Sequence, residues 1–325
     1  MEENNSYAIL PEFSNPLNEL QISFWMKIIT YSGSINIDQL SLGYITAEDD
    51  GQLNTNQPVY VTIKKNVAGY GAENAETNNG YVLLGPPITS RIIYPGSYEG
   101  TGLRAGTYDL YTWDRTADLE WINYGPSNPN TLTIYCGIGF LYANQDDTEI
   151  TYRDYIYPHN GRSIVYYTEP TVENPFSDWN LIANGYMCNT YLVDAATKGS
   201  ILPYYRMNAA SNGLVAVADG AAIAPMEGIF YQAPSQHSWS YVYFVKTPPA
   251  TQANLISIDL VEGSASAERG GVSTGSTTAP TDRAILRFGD GNTLEKFSLS
   301  ESTSKIYIPQ GGKDYAVAAV GGVSK

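Results

Sequence analysis

The chain has 325 residues, enough for two or three ordinary domains, and 43% of them are hydrophobic, which argues against intrinsic disorder. A formal net charge of −15 argues against nucleic acid and against a polybasic membrane contact, because phosphates and anionic lipids would be repelled. Charged residues make up only 16%, against roughly 25% in ordinary soluble domains, so polarity comes from Asn, Ser, Thr, Gly and 27 Tyr, a bias toward strands.

The first residues, Met1-Glu2-Glu3-Asn4-Asn5, lack the basic and apolar regions of a signal peptide. No apolar run approaches the ~20 residues of a membrane helix, so no membrane insertion is expected. Residues 20–27 alternate with period two, placing Leu20, Ile22, Phe24 and Met26 on one face. Similar strands are predicted at 40–45 and 59–64, separated by turn clusters such as Asp49-Asp50-Gly51 and Asn78-Asn79-Gly80. No helical periodicity persists beyond about two turns, and the Ala-rich stretch 220–224 is ended by Pro225.

The middle of the chain reads as a duplication. One copy passes through 80–86, 108–114 and 137–143 and closes at 150–152; the other passes through 178–184, 204–208 and 225–233 and closes at 241–244. In each, an apolar strand precedes a Tyr-rich one, and a Gly-turn feeds Gly139-Phe140 or Gly228-Ile229-Phe230. Generic strand composition offers the other explanation of the likeness. The resulting division is 1–75, 76–168, 169–250 and 251–325, the last preceded by a linker at 247–250 and containing a Gly/Ser/Thr/Ala-rich loop at 263–281. Tail strands are predicted at 284–288, 294–297, 305–308 and 314–319, with Gly289-Asp290-Gly291-Asn292 as a hairpin turn.

Catalytic signatures are sparse. His159 and His237 lie in polar loops, away from any nucleophile elbow or zinc motif. The local carboxylate pairs Asp118/Glu120, Asp146/Asp147 and Asp49/Asp50 sit in turn-rich contexts better suited to an acidic surface than to a glycosidase. Glu48, Asp49 and Asp50 supply hard oxygen ligands and are the candidate calcium site; beyond such a structural ion no cofactor is expected. Cys136 and Cys188 are either one bridge or two buried thiols, and sequence leaves both open. Trp113, Trp121 and Tyr124, in a predicted hairpin, and Trp179 are the candidate ligand-binding residues. Such rings either stack on sugar faces or pair across strands to stabilise the sheet.

Leu10-Pro11-Glu12-Phe13-Ser14-Asn15-Pro16-Leu17, running into residues 20–27 and 42–45, resembles the MAM-like jelly-roll of the cleaved-adhesin, or choice-of-anchor, surface proteins of Gram-negative anaerobes. Tyr108-Asp109-Leu110-Tyr111, Glu120-Trp121-Ile122-Asn123-Tyr124, residues 139–144, Trp179-Asn180-Leu181-Ile182, 204–208 and 224–228 look like the β-rich modules that follow it there. Residues 282–288 and 305–317 are similar to the C-terminal segments of those proteins. The resemblance implies a secreted or surface-displayed protein with no catalytic residues to carry over. The expectation is therefore an all-β chain of tandem β-sandwich units with a partial jelly-roll-like N-terminal portion. Its role would be non-catalytic, adhesive or structural, with an extracellular glycan or a host or bacterial surface protein as partner. A dedicated glycan-binding module and an accessory region of a secreted glycan- or protein-degrading enzyme are the alternatives.

Overall fold

The structure, a computed structural model, describes residues 7–9, 21–22, 27–30, 34–37, 39–40, 44–48, 52–55, 58–71, 80–87, 90–93, 108–124, 132–157, 161–195, 199–209, 211, 213–249, 254–261, 280–288, 292–297 and 304–320. Among these residues the fold is all-β, built from several separate sheets that pack as sandwich-type layers.

The N-terminal strands are β1 (Tyr7–Ile9), β2 (Gln21–Ile22), β3 (Lys27–Thr30), β4 (Ser34–Ile37), β5 (Gln39–Leu40), β6 (Tyr44–Glu48), β7 (Gln52–Thr55) and β8 (Val59–Val67). A jelly-roll has antiparallel ladders, but here β1, β3, β6 and β8 pair in parallel, as do β2 with β5 and β4 with β7. Paired residues lie 16 to 20 positions apart, as in Tyr7 opposite Lys27 and Ile45 opposite Val61. Strands of two to five residues leave about a dozen for the return path, which is what a parallel connection requires.

The first repeat continues with β9 (Val82–Leu84), β10 (Ser90–Ile93), β11 (Tyr108–Trp113), β12 (Trp121–Asn123), β13 (Leu132–Tyr135), β14 (Phe140–Asn144) and β15 (Thr148–Ile156). The second contains β16 (Arg162–Tyr166), β17 (Trp179–Ala183), β18 (Tyr191–Asp194), β19 (Tyr204–Met207), β20 (Leu214–Val217), β21 (Gly228–Gln232) and β22 (Trp239–Val245). One four-stranded sheet has the order β12-β11-β14-β9 and the other β20-β19-β21-β17, the same order strand for strand. Each repeat also pairs its opening strand with its closing one, β8 with β15 and β16 with β22. The likeness thus extends to topology, with the repeats opening at Val59 and Arg162.

The layers explain the sequence patterns. Val59, Val61, Ile63, Ile150, Tyr152 and Ile156 face Leu110, Phe140 and Tyr142 in one core. Val165, Val242 and Phe244 face Ile182, Tyr204, Ile229 and Tyr231 in another. A third core lies between the remaining faces of both four-stranded sheets and the C-terminal sheet. The four-stranded sheets are therefore covered twice, so β14 and β17 are buried at every residue and are apolar but for Asn144 and Asn180.

The two four-stranded sheets meet through reciprocal bridges, Leu84 opposite Glu227 and Ile138 opposite Ile182. Gly139 N–H donates to Leu181 O at 3.0 Å, and Gly85 N–H donates to Met226 O at 2.9 Å. Glycine is required at this crossing, because a Cβ on Gly85 would stand 2.1 Å from the Ala183 Cβ.

The tail comprises β23 (Asn254–Leu260), β24 (Asp282–Phe288), β25 (Leu294–Glu295), β26 (Ile308–Gln310) and β27 (Lys313–Val320). The predicted hairpin across 289–292 is corrected: β24 and β25 do not pair but flank β27, parallel and antiparallel to it respectively. Residues 289–291 and most of the predicted loop at 263–281 lie outside the described residues.

Candidate ligand-binding face

The outer sheet of the second repeat has the order β16-β22-β18. Its alternation buries Ser163, Val165, Val242 and Phe244 and turns Arg162, Ile164, Tyr166, Trp239, Tyr241 and Tyr243 to the other side. Antiparallel register sets these outward residues side by side: Tyr166 opposite Trp239, Ile164 opposite Tyr241 and Arg162 opposite Tyr243. Trp239 is 52% exposed, and Tyr166 and Ile164 are each 45% exposed. A tryptophan that open is unusual, since the indole normally buries most of its surface.

Two cations frame this face. The Arg162 guanidinium lies 4.3 Å from the Tyr241 ring centre, and that of Arg115 lies 5.2 Å from the Tyr166 ring centre. Arg115 is held there by bonds from Nη1 to Thr168 Oγ1 at 2.6 Å and to Ser177 O at 2.8 Å. Trp239 and Tyr241 meet edge to face at 5.4 Å. The result is a row of aromatic and aliphatic side chains with guanidinium groups beside it, suited to a ligand that has apolar faces and oxygen-rich edges. A smaller aromatic group, Tyr60, Tyr155 and Tyr157, lies exposed on and just beyond β8 and β15.

The aromatic residues singled out from sequence lie elsewhere. Trp179 is corrected as a ligand residue: it is 2% exposed and stacks on Phe297 at 4.5 Å within the central core. Trp113 and Trp121 form the expected cross-strand pair, but both are half-buried and turned against that core. Trp113 packs edge-on to Phe230 at 5.1 Å and donates Nε1–H to Trp179 O at 2.9 Å. Tyr124 is half-buried against the first core. Their sequence context gave them away less than their size, because a large ring fills a two-sided core as readily as it fills a surface.

Among the candidate calcium ligands, Asp49 and Asp50 lie outside the described residues, as does the side chain of Glu48, whose backbone ends β6 opposite Lys64. Among the described residues, no three His, Cys, Asp or Glu side chains are grouped to hold a metal ion. Cys136 and Cys188 are free thiols. Burial pushes the Cys136 thiol up to about 12, and the Cys188 thiol also upward, so neither is a ready nucleophile. His237 is exposed in the turn before Trp239, and His159 lies outside the described residues.

Of the local carboxylate pairs, Asp118, Asp146 and Asp147 are exposed, and Asp147 Oδ1 accepts a long-range bond from Gly69 N–H at 2.8 Å. A different carboxyl is perturbed. Asp178 is 4% exposed, and burial followed by the nearby charge of Glu295 pushes it up to about 6. Gln232 Nε2 donates to Asp178 Oδ2 at 2.9 Å, and Gln232 Oε1 accepts from Glu295 N–H at 3.0 Å. Glu295 is in turn paired with Lys313. This carboxyl keeps its proton into the mildly acidic range, but Gln232 caps it and burial closes it to a substrate. Comparison with protein-family models, with curated proteins and with solved structures finds no match to this chain.

Proposed function

We propose that this is a non-catalytic adhesive protein that binds carbohydrate through the outer face of β16 and β22. The observation that carries the reading is the row formed by the exposed Trp239, Tyr166 and Ile164 with the half-buried Tyr241, an aromatic patch on an acidic molecule. Pyranose rings present a flat C–H face that aromatic rings cover, while Arg162 and Arg115 donate to hydroxyl or carboxylate oxygens at its edge. A glycan rather than a protein partner suits this row because its few exposed apolar side chains stand beside two guanidinium groups that can donate to sugar oxygens. The resemblance to choice-of-anchor surface proteins supports display outside the cell, where such glycans occur.

A glycan array probed with the purified chain, followed by titration of the best hit, tests the proposal. Trp239→Ala and Tyr166→Ala are each expected to weaken binding about tenfold or more, at least about 1.4 kcal/mol, with the melting midpoint little changed. An array that stays silent at high protein concentration overturns the reading. So does binding that survives both substitutions.

A further inference from the structure

We infer that β23 is a self-association edge, through which two copies of this chain pair antiparallel to make one continuous sheet. In the described sheet β23 is terminal, bonded to β24 on one side through seven consecutive pairs, from Asn254 opposite Phe288 to Leu260 opposite Asp282. Five of its seven residues are exposed, with Ile256 at 52% and Ile258 at 46%. Open strand edges template further pairing, and proteins blunt them with lysine, proline, bulges or very short strands. The opposite side of this same sheet uses such devices: β25 is two residues long and has a register shift, and β26 contains Pro309. Asn-Leu-Ile-Ser-Ile-Asp-Leu in β23 has no proline, lysine or bulge.

The strand is also self-complementary. A two-fold axis through Ser257 sets Ile256 of one copy opposite Ile258 of the other, twice, and Leu255 opposite Asp259. The two exposed isoleucines of each copy are thereby covered by their counterparts. The aspartates fall at opposite ends of the ladder, away from each other. Each Asp259 is already neutralised by the guanidinium of Arg283, with Nε–Oδ1 at 2.5 Å and Nη2–Oδ2 at 3.0 Å. Backbone pairing of one strand buries less than the ~1,200 Å² of stable specific interfaces, so the association is weak and reversible and is read over a range of concentrations.

Sedimentation velocity of the full chain, from low to high micromolar concentration, tests this without reference to any ligand. The wild type is expected to shift from monomer to dimer, while the double variant Ile256→Lys, Ile258→Lys stays monomeric with an unchanged melting midpoint. The register has its own readout. Ser257→Cys, lying on the axis, is expected to give a reducible covalent dimer under mild oxidation that the wild type, with Cys188 buried and Cys136 half-buried away from this edge, does not give. A wild type that remains monomeric throughout, or a lysine variant that still dimerises, overturns the proposal; failure of Ser257→Cys to cross-link overturns the Ser257 axis.

Discussion

Asp178 shows how one buried side chain sets a pH dependence. Its carboxyl is raised from an ordinary value near 4 to about 6, chiefly by burial and next by Glu295, against the lowering effects of the Gln232 bond and Lys313. The folded chain therefore holds this proton more tightly than the unfolded chain. The stabilisation it gives is complete below about pH 4 and is lost as pH rises to about 6. Asp178→Asn keeps an oxygen for Gln232 but no longer titrates. Urea midpoints at pH 4 and pH 7 are expected to show the variant gaining on the wild type at the higher pH; an equal difference at both values would contradict the assignment. A steric limit acts at Gly85, between Ala183 and the Ile138 carbonyl. Gly85→Ala is expected to lower stability by about 1–3 kcal/mol, read as a lower urea midpoint, with partial recovery on adding Ala183→Gly. An unchanged midpoint would mean that the two sheets yield freely at this crossing.

At the scale of elements, the strands were more legible than their partners. The alternation of 59–64 predicts β8, and its buried residues Val59, Val61 and Ile63 are those of the predicted apolar face. The Trp113–Trp121 hairpin is likewise legible, closed by Asp114, whose Oδ1 accepts from Thr116 N–H at 2.9 Å. Period two says which residues share a face but not which way the neighbouring strand runs. The parallel ladder from β1 to β8 and the insertion of β27 between β24 and β25 therefore left no local mark. The proposed binding face was missed for a related reason. In Arg162-Ser163-Ile164-Val165-Tyr166 both alternating faces carry large apolar residues, so composition does not say which one is inward. Only the opposing strand decides, by placing Phe244 and Val242 on the buried side and Trp239 and Tyr241 on the open one.

On the scale of the whole molecule, the two units of like strand order form sandwiches that do not part at the boundary between them. Met187 and Met226 of the second repeat are buried in the first core, and Leu53 N–H donates to Met187 O at 2.5 Å. Leu83 and Leu141 of the first repeat belong to the central core with Trp179, Phe230 and the tail residues Ile285, Phe297 and Val317. Tyr205 adds a polar tie to the tail, accepting from Phe297 N–H at 3.1 Å. The second repeat encloses one core of its own, but opening either repeat would expose the apolar surface of the central core that both share with the tail. Unfolding is accordingly expected as one transition, with tryptophan fluorescence and far-UV circular dichroism giving coincident urea curves. Trp113 and Trp121 report on the first repeat, and Trp179 on the second, all through the shared core. A chain cut between β15 and β16, with the halves expressed separately, should leave each half with native-like strand content but without fixed aromatic packing. The diagnostic is a near-UV spectrum lost in the separate halves and regained on mixing. Two resolved transitions in the intact chain, or a half that alone keeps its near-UV signal, would show that each sandwich is sufficient and the central core dispensable.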